Sequence, residues 1–204
     1  VESKLRAALA GVDARDLRDE LAAHAGEEQR LDRAALARAL LALSVASTPR
    51  CEQFAAHIFE RFWAHATCKS ASLRVCTVAL LPFVDSSKEC TARVVFDLYR
   101  SEGGGGAGAI ISRASLAALV AEVLKWTSEW TSSEELAQLA SMLAISATSR
   151  IAGHHFTLDD FKAWSANQSV EGGLLELIAQ QSRVAPPPYV SRSPSPARWR
   201  GGGA

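Results

Sequence analysis

The chain has 204 residues, of which 48% are hydrophobic, and its 22 basic side chains balance its 22 acidic ones. Because residues 183–204 hold four arginines and no acid, residues 1–182 carry a net charge of −4. That charge is a poor match for nucleic acid, and no apolar run approaches the roughly 20 residues of a membrane span. We therefore expect neither a nucleic-acid partner nor a membrane-spanning helix.

Apolar residues recur at helical spacing through most of the chain, and strand-like alternation is nearly absent. The clearest stretches cover residues 54–62, 116–124, 136–144 and 174–178. This pattern predicts an all-α fold with eight or nine helices. Residues 101–109 are Gly-rich and read as a flexible insert, and residues 183–204 read as a disordered Pro-, Ser-, Arg- and Gly-rich tail.

Several predicted helix starts carry a side-chain oxygen that can accept a backbone N–H. They are Asp32, Ser112, the pair Ser132 and Glu135, and the pair Thr157 and Asp160. We expect each to cap the helix that follows it.

A second pattern recurs four times: a helix, a polar or small-residue loop, one apolar residue, a capping residue and another helix. The apolar residues are Leu31, Leu73, Ile111 and Phe156, which stand 42, 38 and 45 residues apart. Periods of this size indicate a repeated supersecondary unit.

The third and fourth copies carry a family resemblance. Phe96 and Asp97 enter a Gly-rich loop that ends in Ile111 and Ser112, which resembles the third EF-hand of calmodulin and related calcium sensors. Residues 155–161 resemble the end of another EF-hand loop and the start of its exit helix. The resemblance implies two EF-hand-like lobes at 1–90 and 91–182. It also implies short strand pairs between loops, with Leu31 beside Leu73 and Ile111 beside Phe156.

The layout of residues 80–99 and 156–178 also resembles the EF-hand-like region that precedes the catalytically silent TLDc domain. Residues 160–178 resemble the last EF-hand of calcineurin-B-like and neuronal calcium-sensor proteins, where such a helix covers a hydrophobic groove. These relatives stay open as alternatives.

Calcium needs side-chain oxygens at loop positions 1, 3, 5, 9 and 12 of an EF-hand and a glycine at position 6. Loop one (24–35) has no closing ligand, loop two (66–77) has no acid, and loop four (149–160) has an acid only near its end. Loop three runs over 19 residues from Asp97 to Ser115. The candidate metal ligands are Asp97, Ser101, Glu102 and Asp160. We expect calcium sites that are mostly or wholly lost and no cofactor.

The sequence offers little other chemistry. His57, His65, Cys68 and Cys76 are spaced too widely for a typical zinc site, and we expect them to be structural or surface residues. No catalytic triad, P-loop or dinucleotide-binding pattern is present, so we expect no enzyme. The four cysteines form no Cys-x-x-Cys pair and no secretory signal pattern opens the sequence, which favours a cytoplasmic protein.

Two features could bind a protein partner. Trp126, Trp130 and Trp164 either pack in the core or line a groove for a partner's amphipathic helix. In the tail, Pro186, Pro187 and Tyr189 fit the P-P-x-Y pattern that WW domains bind.

The sequence therefore predicts a non-enzymatic regulatory or adaptor module that binds a helical segment of a partner protein. One alternative is a working calcium sensor through the third or fourth loop. Another is a structural subunit of a cytoskeletal or ciliary assembly.

Overall fold

The described part of the protein is mainly helical and contains little strand, which confirms the all-α prediction. A computed structural model describes residues 1–44, 46–63, 69–100, 109–127, 133–149 and 155–166. The helices in these ranges are α1 (Glu2–Ala8), α2 (Ala14–His24), α3 (Arg33–Leu43), α4 (Thr48–Trp63), α5 (Leu73–Leu80), α6 (Lys88–Tyr99), α7 (Arg113–Thr127), α8 (Ser133–Thr148) and α9 (Leu158–Ala166). The strands are β1 (Arg30–Asp32), β2 (Ser70–Ser72), β3 (Ile111–Ser112) and β4 (His155–Phe156), and a 3₁₀ turn spans Leu81–Phe83.

After α1, the elements repeat in one order: helix, short strand, helix. The four copies are α2–β1–α3, α4–β2–α5, α6–β3–α7 and α8–β4–α9. The apolar stripes that predict these helices face the interior, as Phe54, Ile58, Leu116 and Leu119 show by being buried. The Gly-rich insert, the helix expected from residue 174 and the tail lie outside the described residues, except that Ala109 precedes β3.

The strands pair antiparallel, β1 with β2 and β3 with β4. Ile111 stands opposite Phe156, as predicted. The prediction that Leu31 pairs with Leu73 is wrong, because Leu31 stands opposite Ala71. Leu73 is already the first residue of α5, and its N–H donates to the carbonyl of Gln29 at 2.8 Å.

The corrected register makes the repeat more regular. Leu31, Ala71, Ile111 and Phe156 stand 40, 40 and 45 residues apart. All four strand residues are buried, so each short strand places one apolar side chain in the core. Alanine is only weakly apolar, so the prediction from the sequence chose the larger Leu73 as the paired residue.

Each strand residue is followed at once by a helix cap. The side chain accepts the backbone N–H of the residue three positions later, at distances of 2.7 Å (Asp32 from Ala35), 3.4 Å (Ser72 from Val75), 3.1 Å (Ser112 from Ser115) and 3.3 Å (Thr157 from Asp160). Such caps satisfy a backbone donor that the first helical turn leaves unpaired. The predicted caps at Asp32, Ser112 and Thr157 are confirmed, whereas Ser132 lies outside the described residues.

The buried side chains form one continuous cluster that includes Leu17 of α2, Val95 of α6 and Phe161 of α9. Two ring contacts hold α9 to it: Phe161 to Phe96 at 6.0 Å and Trp164 to Phe156 at 5.9 Å. Within α9, Phe161 and Trp164 also pack on each other at 5.9 Å. The boundary expected between two lobes near residue 90 stays a prediction. Within the described ranges, no helix combines the length and apolar character needed to cross a membrane.

Candidate functional site

Loop one, residues 24–35, is described without a gap and shows how a loop of this chain is built. The N–H of Gly26 donates to the carbonyl of Arg30 at 2.9 Å, and the N–H of Gln29 donates to the carbonyl of Gly26 at 2.8 Å. Gln29 has φ = 53°, a left-handed conformation that glycine adopts most easily. Counting twelve positions from His24, Gln29 is the sixth, the position at which a calcium-binding EF-hand has its glycine.

Three side chains of loop one already have protein partners. The Asp32 carboxylate caps α3, and His24 Nε2 lies 3.1 Å from Glu20 Oε1. The Arg30 guanidinium donates to the hydroxyl of Ser70 at 2.9 Å and to its carbonyl at 2.6 Å, which ties β1 to β2 through side chains as well as backbone. Loop one is therefore held by hydrogen bonds within the loop and by bonds to β2.

The two candidate metal ligands that the structure describes are both engaged. Asp97 lies inside α6, and its carboxylate oxygens are 3.6 Å from Arg18 and 3.5 Å from Arg100. One oxygen of Asp160 accepts both the N–H of Thr157 at 3.1 Å and its hydroxyl at 2.7 Å. Among the described residues, no group of three or more His, Cys, Asp and Glu side chains could hold a metal ion. Ser101 and Glu102 lie outside the described residues.

The residues considered for zinc do not form a site in the part of the chain that is described. Burial raises the pKa of the Cys76 thiol to about 12, so Cys76 stays protonated at neutral pH. His57 Nε2 lies 3.8 Å from Glu2 Oε1, and burial lowers the pKa of this imidazole. His65 and Cys68 are outside the described residues.

Of the predicted partner-binding residues, only Trp164 has a described side chain. Its ring is partly buried and packs on Phe156 and Phe161, which are the contacts of the core-packing alternative. The structure does not describe the side chain of Trp126. It describes no part of Trp130, Pro186, Pro187 or Tyr189.

The structure reveals a surface that the sequence reading missed, which we call the α3–α4 groove. It is a concavity of about 390 Å³ between the outer faces of α3 and α4. Its lining residues are Arg33, Ala34, Ala37, Arg38, Leu41, Thr48 and Glu52. In the sequence, the helical spacing of Arg33, Ala37 and Leu41 indicates that they share one face of a helix. An alanine-rich face is equally typical of a buried core, so this spacing does not predict a groove.

The groove combines an apolar floor with a positive rim. Leu41 is 39% exposed and lies on this floor beside Ala34 and Ala37. Arg33 and Arg38 have no acidic partner within 4 Å among the described residues, and Glu52 provides the one carboxylate in the lining. Such a surface can receive an apolar side chain that is flanked by acids.

Comparison with models of known protein families, with curated proteins and with solved structures gives no match for this chain.

Proposed function

We propose that this protein is an EF-hand-like interaction module that does not depend on calcium and binds an acidic amphipathic helix of a partner protein in the α3–α4 groove. The observation that carries the proposal is the exposed Leu41 on the apolar floor of that groove, with Arg33 and Arg38 beside it, which form no ion pair with any described residue.

Four features support the EF-hand-like interpretation. The helix–strand–helix order recurs four times, strands pair between neighbouring copies, a helix cap follows every strand residue, and loop one turns at its sixth position. A calcium-binding loop has this backbone, but it also needs a cage of oxygens. Here the described oxygens at the loop ends are used for capping or for ion pairs with arginine.

The charges of the groove decide what kind of helix fits. An amphipathic helix that lays its apolar face into a groove binds through apolar anchor side chains spaced three and four residues apart. Ala34 and Ala37 leave room for such anchors beside Leu41. Arg33 and Arg38 favour carboxylates next to the anchors, because a guanidinium pairs well with a carboxylate.

The test uses a fluorescent synthetic helix with leucines at helical spacing and glutamates flanking them, and a second helix in which lysines replace the glutamates. Fluorescence anisotropy is measured in chelator and in millimolar calcium. We expect the acidic helix to bind equally in both solutions and the basic helix to bind at least about tenfold more weakly.

The variant Leu41→Glu places a charge on the groove floor and should abolish binding of the acidic helix. Because Leu41 is exposed, the substitution should leave the fold intact, which circular dichroism can check. The matched control is Met142→Glu on α8, where the wild-type side chain is 54% exposed. Binding that requires calcium, or that is equal for the wild type and for Leu41→Glu, would contradict the proposal.

A further inference from the structure

A second concavity, which we call the arginine cleft, lies between α2, α6 and the start of α9. Its volume is about 520 Å³. Four guanidinium groups line it, those of Arg15, Arg18, Arg93 and Arg100, against a single carboxylate from Asp97. Residues 1–182 as a whole carry a net charge of −4, so this concentration of positive charge is local to the cleft.

The four arginines differ in whether an acidic side chain already pairs with them. Arg18 and Arg100 share Asp97 at 3.6 Å and 3.5 Å, and Arg18 also donates to Asp19 at 2.8 Å. Arg15 and Arg93 have no acidic partner within 4 Å among the described residues. Arg93 also attracts Glu89, whose pKa it helps to lower. Because neither Arg15 nor Arg93 forms an ion pair with a described residue, both can bind an anion, and Arg18 and Arg100 lie beside them with Asp97 as a shared counter-ion.

Guanidinium groups bind phosphate through paired N–H donors, and a phosphate monoester carries nearly twice the charge of a carboxylate. A dianion in the cleft would meet up to four guanidinium groups, whose charge is offset by Asp97, shared by Arg18 and Arg100, and by Asp19, which pairs with Arg18. We propose that the arginine cleft binds a phosphate monoester, presented by a phosphorylated serine or threonine of a protein ligand.

The shape and the surroundings favour a phosphopeptide over other phosphate carriers. The cleft is concave, and Val94 and Leu158 give it apolar walls on which the residues beside a phosphoserine can pack. A nucleic acid or an anionic membrane presents many phosphates, so the net negative charge of residues 1–182 opposes both. The arginine cleft shares no residue with the α3–α4 groove, so the two proposals are independent.

The experiment compares three forms of one fluorescent peptide, with phosphoserine, with serine and with glutamate at the central position between two leucines. Binding to the full chain is followed by anisotropy at low salt, with inorganic phosphate as a competitor. We expect the phosphoserine form to bind at least about tenfold more tightly than the serine form, and inorganic phosphate and added salt to weaken it.

Two variants assign the binding to the cleft. Arg15→Gln together with Arg93→Gln should weaken phosphopeptide binding about tenfold or more, whereas Arg50→Gln on α4 should not change it. Asp97→Asn removes the competing carboxylate and should strengthen binding, an effect that a damaged fold cannot produce.

Equal binding of the phosphorylated and unphosphorylated peptides would overturn the proposal. So would phosphopeptide binding that survives loss of Arg15 and Arg93, or an Asp97→Asn variant that binds more weakly. Binding to vesicles that contain a phosphoinositide is also measured. Tighter binding to these vesicles than to the phosphopeptide would overturn the phosphopeptide proposal and identify a membrane as the partner.

Discussion

Tyr99, at the end of α6, connects three helices through one side chain. Its ring is 2% exposed, and its hydroxyl donates to the carboxylate of Glu122 on α7. The guanidinium of Arg74 on α5 lies 5.6 Å from the ring centroid, a cation–π contact. Burial, reinforced by the Glu122 charge, raises the pKa of Tyr99 well above its ordinary value of 10.0.

This shift predicts how stability depends on pH. The folded protein holds the Tyr99 proton more tightly than the unfolded chain, so the contribution is fully present below pH 10 and is lost as pH rises above it. At neutral pH we expect Tyr99→Phe to lower the free energy of unfolding by about 1.5–3 kcal/mol, because a hydrogen bond to a carboxylate is removed. Above pH 10 the difference from the wild type should narrow.

Urea unfolding at neutral and at alkaline pH measures both effects. The chain contains one other tyrosine, Tyr189, in the tail that the sequence predicts to be disordered. Tyr189→Phe is therefore the matched control and should change nothing at either pH. A Tyr99→Phe difference that is the same at all pH values would show that the raised pKa is wrong.

At the scale of single elements, α9 is held to the body by rings and by one ion pair. Phe161 is fully buried between Phe96 and Trp164. Lys162 donates to Glu89 of α6 at 2.8 Å, but the Glu89 side chain is 77% exposed. The ion pair lowers the pKa of Glu89, yet water screens an exposed pair strongly.

We expect these two contacts to differ greatly in their contribution to stability. Phe161→Ala should lower the free energy of unfolding by about 3–5 kcal/mol, because it leaves a cavity in the core. Lys162→Gln should have little effect and should become indistinguishable from the wild type at high salt. Chemical denaturation of both variants at two salt concentrations is the measurement, and a larger loss for Lys162→Gln than for Phe161→Ala would reverse this assignment.

The elements also show what the sequence could and could not predict. The pairing of Ile111 with Phe156 was predictable because both side chains are large and each precedes a capping residue. The same rule points to Ala71, which precedes the cap Ser72, but leucine at position 73 outweighed it. Capping chemistry was therefore the better guide to register than residue size.

The α3–α4 groove and the arginine cleft could not be predicted from the sequence, for a different reason. Helical periodicity indicates which residues share a face, but not which faces meet. Arg15 and Arg18 are 75 residues or more from Arg93 along the chain, and only the contact of α2 with α6 brings them into one cleft. Leu41 shares a face of α3 with the exposed Arg33 and the buried Ala37, and the sequence does not show where α4 lies beside that face.

At the scale of the whole molecule, positive surfaces sit on a negative body. Both the α3–α4 groove and the arginine cleft are lined by more arginines than acids, while residues 1–182 carry a net charge of −4. Local attraction at these surfaces, combined with repulsion from the rest of residues 1–182, favours ligands that present a few negative charges in one place and disfavours extended polyanions. Acidic helices and single phosphate groups share that property.

The stability of the whole molecule can test whether loop one has the backbone of a calcium-binding loop. For the wild type we expect the same free energy of unfolding in chelator and in millimolar calcium. A ligand present at 100 times its dissociation constant would raise that free energy by about 2.7 kcal/mol, so a site of micromolar affinity could not escape detection.

The converse experiment restores ligands to loop one. Glu28 and Asp32 already stand at the fifth and ninth positions, and the turn at Gln29 is in place. At Gly26 a Cβ atom would meet only the Arg30 carbonyl at 3.8 Å, an ordinary contact, so Gly26→Asp fits. Combined with His24→Asp and Ala35→Glu, it should make the stability depend on calcium, by about 1–3 kcal/mol at millimolar concentration.

Ala35 is the costly position, because it is only 5% exposed and a carboxylate there must bind an ion or remain buried without one. The triple variant should therefore be less stable than the wild type in chelator and recover in calcium, while Ala35→Glu alone should lose stability in both. Magnesium, which demands stricter octahedral geometry, should restore less than calcium does. If calcium leaves the triple variant unchanged, loop one lacks an EF-hand backbone, and the four repeated units are a separate solution to the same helix–strand–helix order.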